Sequence, residues 1–288
     1  MNIKNAKIFQ ISSADNSIFY GGDQDWFSSN TRAMGGCASI AAANSLRALA
    51  NKDPEFRKQI TRHKNIPREI KTALCLDKPS KNSFEMLMTG VYNSIFFYEL
   101  PILRQIYDRC SRDNYFFKKI LRPNMGTTNS GLIRGIIRFA RRFQLNIGVN
   151  SLNTAFADKE RARKFIEEGL AQSGAVILQT SYNRHNINLH VGNADLNNPL
   201  VGGRCCSYTC HFVTITDMDG DRLLITTWGK PAVIDFNELA ASWHSIKAFE
   251  STLLYITPSN KTLSRKCYHT AFIPFVRGII QAIARRSC

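Results

Sequence analysis

A cysteine follows two glycines in the segment MGGCASIAAANSLRALA, residues 34–50. Cys37 stands at the head of an alanine-rich run that predicts a helix over 37–51. The thiolate is the reactive form of cysteine, and the N-terminus of a helix lowers the pKa of a thiol. The preceding glycines let a substrate backbone approach closely. The segment therefore fits a nucleophile, but free cysteine is also among the most buried residue types, so this stretch alone leaves both interpretations open.

A histidine opens the segment HFVTITDMDGDRLLITTWGK and supplies the base that a nucleophilic cysteine requires. His211 stands at the start of a predicted strand, where its ring can project at the edge of a sheet. A Cys/His pair is the minimum for acyl transfer through a thiol. In such chemistry His211 removes the proton from Cys37 and later protonates the leaving group.

The order of these segments resembles that of papain-like cysteine peptidases. QDWFSSNTRAMGGC leads from Gln24 to Cys37 and into the alanine-rich helix, and HFVTITD and TTWG (226–229) follow much later in the chain. Within that family the sequence resembles the bacterial group that contains the bacteriocin-leader (double-glycine) peptidases. The resemblance covers about 20–50 and 160–257.

The resemblance implies an α+β, papain-like fold, in which a helical lobe bearing the Cys37 helix packs against an antiparallel β-sheet lobe. It also implies roles for four residues: Cys37 is the nucleophile, His211 the general base, and Gln24 a donor to the oxyanion. Thr226 stands where papain-like enzymes carry the asparagine that orients the histidine. Asp217 is an alternative orienting group, but it lies about 20 Å along an unbulged strand from His211.

The function implied is hydrolysis of peptide bonds through a thioester on Cys37, without a metal or an organic cofactor. Two alternatives stay open: a Cys/His acyltransferase or amidase acting on a non-peptide substrate, and an inactive papain-like binding module. The residues expected at the substrate are Gly35, Gly36, Trp26 and Trp228.

A rival interpretation rests on the segment CCSYTCH. Its Cys205, Cys206, Cys210 and His211 are soft ligands of the kind that bind zinc. Structural zinc sites usually spread paired ligands across two segments, so we expect no metal here. The eight cysteines show no framework spacing, which favours reduced thiols.

Three regions follow from the change of pattern along the chain. Residues 1–145 are predicted to form the helical lobe, with a basic helical insertion over 52–145. Residues 146–262 are predicted to form the sheet lobe, and 263–288 a C-terminal amphipathic helix. Within the insertion we expect helices over 54–73 and 130–143. Together these regions are expected to form one catalytic unit.

Positive charge is concentrated in one part of the chain. Lysine and arginine number 38 against 22 acidic residues, a net charge of +16, and residues 102–142 carry ten basic residues against Asp108 and Asp113. A solvated basic face and a C-terminal helix docked on the core are the ordinary interpretations of these two regions. The alternative, beside the peptide or protein substrate, is that they bind an acidic partner or an anionic membrane surface. No nucleic-acid-binding signature accompanies the charge.

Neither a long apolar run nor the apolar centre of a secretory signal is present in the sequence. We therefore expect a cytoplasmic protein, with leaderless export left open.

Overall fold

A computed structural model describes residues 6–27, 36–95, 127–154, 157–180, 187, 190–191, 211–243 and 251–259. Seven α-helices lie within these ranges: α1 (Cys37–Lys52), α2 (Pro54–Arg62), α3 (Arg68–Cys75), α4 (Lys81–Ile95), α5 (Asn129–Arg142), α6 (Lys159–Ser173) and α7 (Phe236–Ala241). Two short 3₁₀ turns, Ala6–Phe9 and Gln24–Trp26, precede them.

The strands form two sheets. A two-stranded ribbon pairs β1 (Gln10–Ser12) with β2 (Ile18–Tyr20). The main sheet has the order β3-β9-β4-β6-β7-β8-β5, and each pairing in it is antiparallel. Its strands are β3 (Ile147–Asn153), β4 (Val176–Thr180), β5 (His190–Val191), β6 (His211–Asp219), β7 (Arg222–Thr227), β8 (Lys230–Asp235) and β9 (Thr252–Pro258).

Helix α1 lies at the centre of the molecule. Every residue from Cys37 to Ala50 is buried, and the helix contacts α2–α6 as well as β4, β6 and β9. Its small alanine side chains let neighbouring elements approach the backbone on all sides while preserving a strong preference for helix. The helix predicted over 37–51 is confirmed.

The helix predicted over 54–73 is two helices. Asp53 caps α2 by accepting the Phe56 N–H at 2.8 Å, and α2 ends at Arg62. Pro67 then precedes α3, because proline lacks an N–H and disfavours the helical conformation in the residue before it. The helix predicted over 130–143 is confirmed as α5, which Thr128 caps.

The main sheet is covered on both faces. Ile177, Phe212 and Leu254 pack into a core with α1–α5, and the alternate residues Leu178 and Val213 pack into a second core. That second core also holds residues of α6 and α7. The fold is therefore α+β with an antiparallel sheet between two helical layers.

The C-terminal helix predicted over 263–288 lies outside the described residues, and so do residues 102–126 of the basic segment predicted over 102–142. In the described remainder of that segment, α5 exposes Arg141 and Arg142 at its C-terminal end. None of the described helices is long and apolar enough to cross a bilayer.

Candidate active site

Cys37 is the first residue of α1. Gly36 is the N-cap and makes no side-chain capping bond, so the positive end of the helix dipole faces the thiol. The Cys37 side chain is buried, with 8% of the residue's surface exposed. A thiol in this position meets a field that favours its deprotonated form. Gly35 lies outside the described residues.

His211 is the first residue of β6 and pairs with Thr180 of β4. Its Nε2 lies 3.1 Å from Oγ1 of Thr227, and its ring stacks on the indole of Trp228, with centroids 5.2 Å apart and planes 28° apart. When Nε2 carries the proton, the imidazole donates to the threonine oxygen. The contact with the hydroxyl restrains the orientation of the ring in either tautomer.

A described hydrogen bond of His211 is made with Thr227, the neighbour of Thr226, which the sequence predicts as the orienting residue. Successive residues of β7 point to opposite faces of the sheet, and the two hydroxyls have different hydrogen-bond partners. Thr226 donates its hydroxyl to the carbonyl of Tyr20. Asp217 lies beyond a bulge in β6 and accepts the N–H of Met218 at 2.9 Å.

One pocket brings the predicted nucleophile, base and oxyanion donor together. It lies where the N-terminus of α1 meets the start of β6 and the end of β7. Its described lining residues are Gln24, Cys37, Ile40, Ala41, His211, Phe212, Val213, Thr214, Thr226, Thr227 and Trp228. The wall is largely apolar, and the groups capable of acid–base or nucleophilic chemistry converge on it.

Burial decides the charge of the histidine. It lowers the pKa of the His211 imidazole from the ordinary 6.5 to about 4. The ring is therefore neutral at pH 7, which is the form that accepts a proton from a thiol.

The two tryptophans predicted to contact substrate occupy different surroundings. Trp228 lines the pocket. Trp26 is 7% exposed and packs edge-on against Phe19 and Phe84, at centroid distances of 4.9 and 6.4 Å. It is not among the described lining residues, and its indole belongs to the core.

Cys205, Cys206 and Cys210, the other members of the zinc alternative, lie outside the described residues. Within the described ranges, no three His, Cys, Asp or Glu side chains are grouped to hold a metal ion.

Comparison of the sequence with protein-family models and with curated proteins finds no match.

Trp228 occupies a strained position. Thr227 and Lys230 are paired, so Trp228 and Gly229 form a two-residue hairpin turn with φ of 48° and 67°. Positive φ at both positions is the type I′ geometry, which favours Asn-Gly. A non-glycine residue held there costs about 1–2 kcal/mol. The indole of Trp228 stacks on His211 and packs against the second core, and these contacts offset the local preference.

Replacing Trp228 with Asn is expected to raise the pKa of His211 toward 6.5, because the indole that excludes water from the ring is lost. The free energy of unfolding should stay within about 1 kcal/mol of wild type, since relief of the turn offsets lost packing. NMR titration and urea unfolding measure the two effects. Trp26→Ala is the control and should cost about 3–5 kcal/mol. An unchanged His211 pKa would contradict the shielding role.

Proposed function

We propose that this chain is a papain-like cysteine peptidase of the kind that the sequence resembles. The observation that carries the proposal is one pocket lined by Cys37 at a helix N-terminus, His211 at a strand start and Gln24. These groups lie on three separate elements. Together they supply the nucleophile, the base and the oxyanion donor that acyl transfer through a thiol requires.

The proposed reaction begins with proton transfer from the Cys37 thiol to the His211 imidazole. The sulfur forms a bond to the peptide carbonyl carbon, and the carbonyl oxygen becomes an oxyanion. The Gln24 amide and the N–H of Cys37 donate to that oxygen. When the C–N bond breaks, the imidazolium gives its proton to the leaving amine, and the acyl group remains on Cys37 as a thioester.

Water completes the cycle. His211 takes a proton from the water, whose oxygen attacks the thioester carbonyl. Collapse of the second tetrahedral intermediate releases the carboxylic acid, and the sulfur recovers a proton from the imidazolium. In this scheme the 3.1 Å contact between Nε2 and Thr227 keeps the other ring nitrogen turned toward the pocket in both half-reactions.

The alternative of an inactive binding module rests on the absence of the family's asparagine at 226 and on the large basic surface of the chain. The neighbouring hydroxyl of Thr227 weighs against that alternative, because it gives His211 a hydrogen-bond partner. The acyltransferase or amidase alternative uses the same residues and differs only in the substrate and in the group that accepts the acyl chain.

Alkylation tests the reactive pair. At pH 7 iodoacetamide should modify Cys37 at least tenfold faster than it modifies glutathione, because an activated thiol contains more thiolate than a free one. Peptide mapping by mass spectrometry locates the adduct, with buried Cys75 as an internal reference. Modification of Cys37 no faster than glutathione would contradict the proposal.

A peptide library derived from a proteome then tests the reaction. Wild type should generate new peptide termini, and Cys37→Ala should generate none. Digestion in H₂¹⁸O distinguishes hydrolysis, which places the label in the new carboxylate, from transfer of the acyl group to another acceptor. Equal cleavage by wild type and Cys37→Ala would overturn the peptidase assignment.

A further inference from the structure

The backbone from Tyr20 to Gly22 is held on several sides. The Tyr20 N–H donates to the Gly229 carbonyl at 2.7 Å, and the Gly229 N–H donates to the Gly22 carbonyl at 3.1 Å. The Gly21 N–H donates to the carbonyl of Phe9 at 2.7 Å. Residues 20–22 therefore form a clamped segment. Its backbone bonds tie it to the β7–β8 turn and to the chain that precedes it.

Two side chains complete the clamp from inside the protein. Thr226 of β7 donates its hydroxyl to the Tyr20 carbonyl. Asn44 of α1 accepts the Gly22 N–H at 3.2 Å and donates to Thr214 of β6 at 3.3 Å. Both side chains are buried. Helix α1 and the sheet therefore both form hydrogen bonds to the clamped segment.

Glycines occupy the last two positions of the clamped segment, and a Cβ at either would crowd neighbouring side chains. A Cβ on Gly21 would lie 2.2 Å from Oγ1 of Thr226, and φ there is +78°. A Cβ on Gly22 would lie 2.7 Å from the Phe84 ring and 2.8 Å from the Met88 sulfur. The chain passes between helix and sheet with no room to shift, so its position is defined closely.

Gln24 follows the clamped segment after a single residue. Asp23 accepts the Asp25 N–H at 3.1 Å and begins the 3₁₀ turn whose first residue is Gln24. The location of the Gln24 amide relative to Cys37 thus depends on where residues 20–22 are held.

We propose that Thr226 and Asn44 are positioning residues that place Gln24 at the oxyanion, while the adjacent Thr227 orients His211. The inference rests on the proposed function. Two consecutive threonines of one strand would then serve the two halves of the site from opposite faces of the sheet.

Loss of the Thr226 hydroxyl should affect one part of the site only. It should loosen the segment that holds the Gln24 amide and leave the Cys37 thiol and the His211 imidazole in place. Removing an oxyanion donor typically lowers acyl transfer 10²–10³-fold, and a misplaced donor loses part of that. Alkylation of Cys37 forms no oxyanion and needs no donor.

Acylation by 4-nitrophenyl acetate, followed by release of 4-nitrophenolate, tests this without knowledge of the natural substrate. Thr226→Ala should acylate about tenfold more slowly than wild type, with an unchanged rate of alkylation by iodoacetamide. Thr226→Ser should restore acylation. The effect of Thr226→Ala should largely vanish in a Gln24→Ala background, because the two changes remove one interaction.

Thr216→Ala is the matched control. Thr216 is a buried threonine of β6 whose hydroxyl lies 3.0 Å from the side-chain oxygen of Tyr20, so it loses a contact to the same residue but leaves the Tyr20 carbonyl held. Its acylation rate should equal that of wild type. If Thr226→Ala does not fold, Asn44→Ala, which removes the acceptor of the Gly22 N–H, replaces it.

The outcomes separate the two proposals. Three results for Thr226→Ala would overturn the positioning role: acylation at the wild-type rate, a loss in alkylation equal to the loss in acylation, or an effect that adds to that of Gln24→Ala. In each of these cases, acylation of Cys37 in the wild type would still support the proposed function. Absence of acylation in wild type would overturn both.

Discussion

Replacing His211 with Gln is expected to lower acylation of Cys37 by 10²–10⁴-fold at pH 7, the usual contribution of a general base. Glutamine keeps a polar side chain at the start of β6 but cannot accept the thiol proton. Alkylation by iodoacetamide should fall to the rate of an ordinary cysteine, because no group remains to remove that proton.

The pH dependence of the wild type follows from the lowered pKa of the His211 imidazole. Since the pKa of His211 is lowered to about 4, the ring stays neutral and able to accept a proton across the range above that value. The acid limb of the acylation rate should therefore lie near pH 4, well below the 6.5 of an exposed histidine. His211→Gln should lose that limb together with the activity.

Stability should depend on pH through the same group. Between pH 6.5 and about 4 the unfolded chain binds a proton at His211 that the folded chain does not, so unfolding becomes easier as the pH falls through this window. His211→Gln should flatten that dependence in urea unfolding followed from pH 7 to pH 4.

His63→Gln is the matched control for both measurements. His63 lies at the end of α2, where its Nε2 is 3.3 Å from the Gln144 side-chain oxygen, and it is not among the described residues that line the pocket. Its acylation rate should match that of wild type. Retention of more than a tenth of the wild-type rate by His211→Gln would show that another group acts as the base.

The sequence predicts elements best where one physical preference dominates. The alanine-rich run after Cys37 predicts α1. The Asp-Gly pair in the segment DMDGD predicts a tight hairpin between two strands, and the structure has it between β6 and β7 with Gly220 and Asp221 as the turn residues and φ +61° at Gly220. Both depend on local backbone energetics, which neighbouring elements do not override.

The elements that sequence reasoning missed depend on distant partners. Strand β3, IGVNSLN, is polar in its middle and pairs only with β9 among the described strands, so no alternation of apolar residues marks it. The ribbon of β1 and β2 has three residues in each strand. Such short elements have no periodicity to read.

In the candidate site, too, residues with a local signal are predicted and residues that depend on distant partners are missed. Cys37 and His211 carry chemical signals of their own, and the pocket places both in its lining. The choice between Thr226 and Thr227 depends on which face of β7 each side chain occupies. Strand alternation predicts that the two side chains lie on opposite faces, but it does not predict which of them points to His211. Asn44 has no signal beyond its place on the same helical face as Cys37.

Arg47 is a buried charged residue that joins α1 to several neighbouring segments. It is fully buried in α1 and makes hydrogen bonds to four backbone carbonyls. Nη1 donates to Ala73 at 2.7 Å, Nη2 donates to Asp77 at 2.8 Å and to Gln10 at 3.4 Å, and Nε donates to Ile8. Burial lowers its pKa to about 10, so it remains charged at pH 7.

Replacing Arg47 with Met is expected to lower the free energy of unfolding by about 3–5 kcal/mol, because methionine fills much of the volume but leaves buried carbonyls without donors. Urea unfolding measures the loss, and the thermal midpoint should fall by about 10 °C. Arg57→Met is the control: Arg57 is exposed on α2 and also donates to a backbone carbonyl, that of Cys75, so it should cost under about 1 kcal/mol. Because Arg47 joins the nucleophile helix to the chain that leads into the clamped segment, the variant should also lose acylation before it unfolds globally. An equal cost for the two arginine variants would contradict this role.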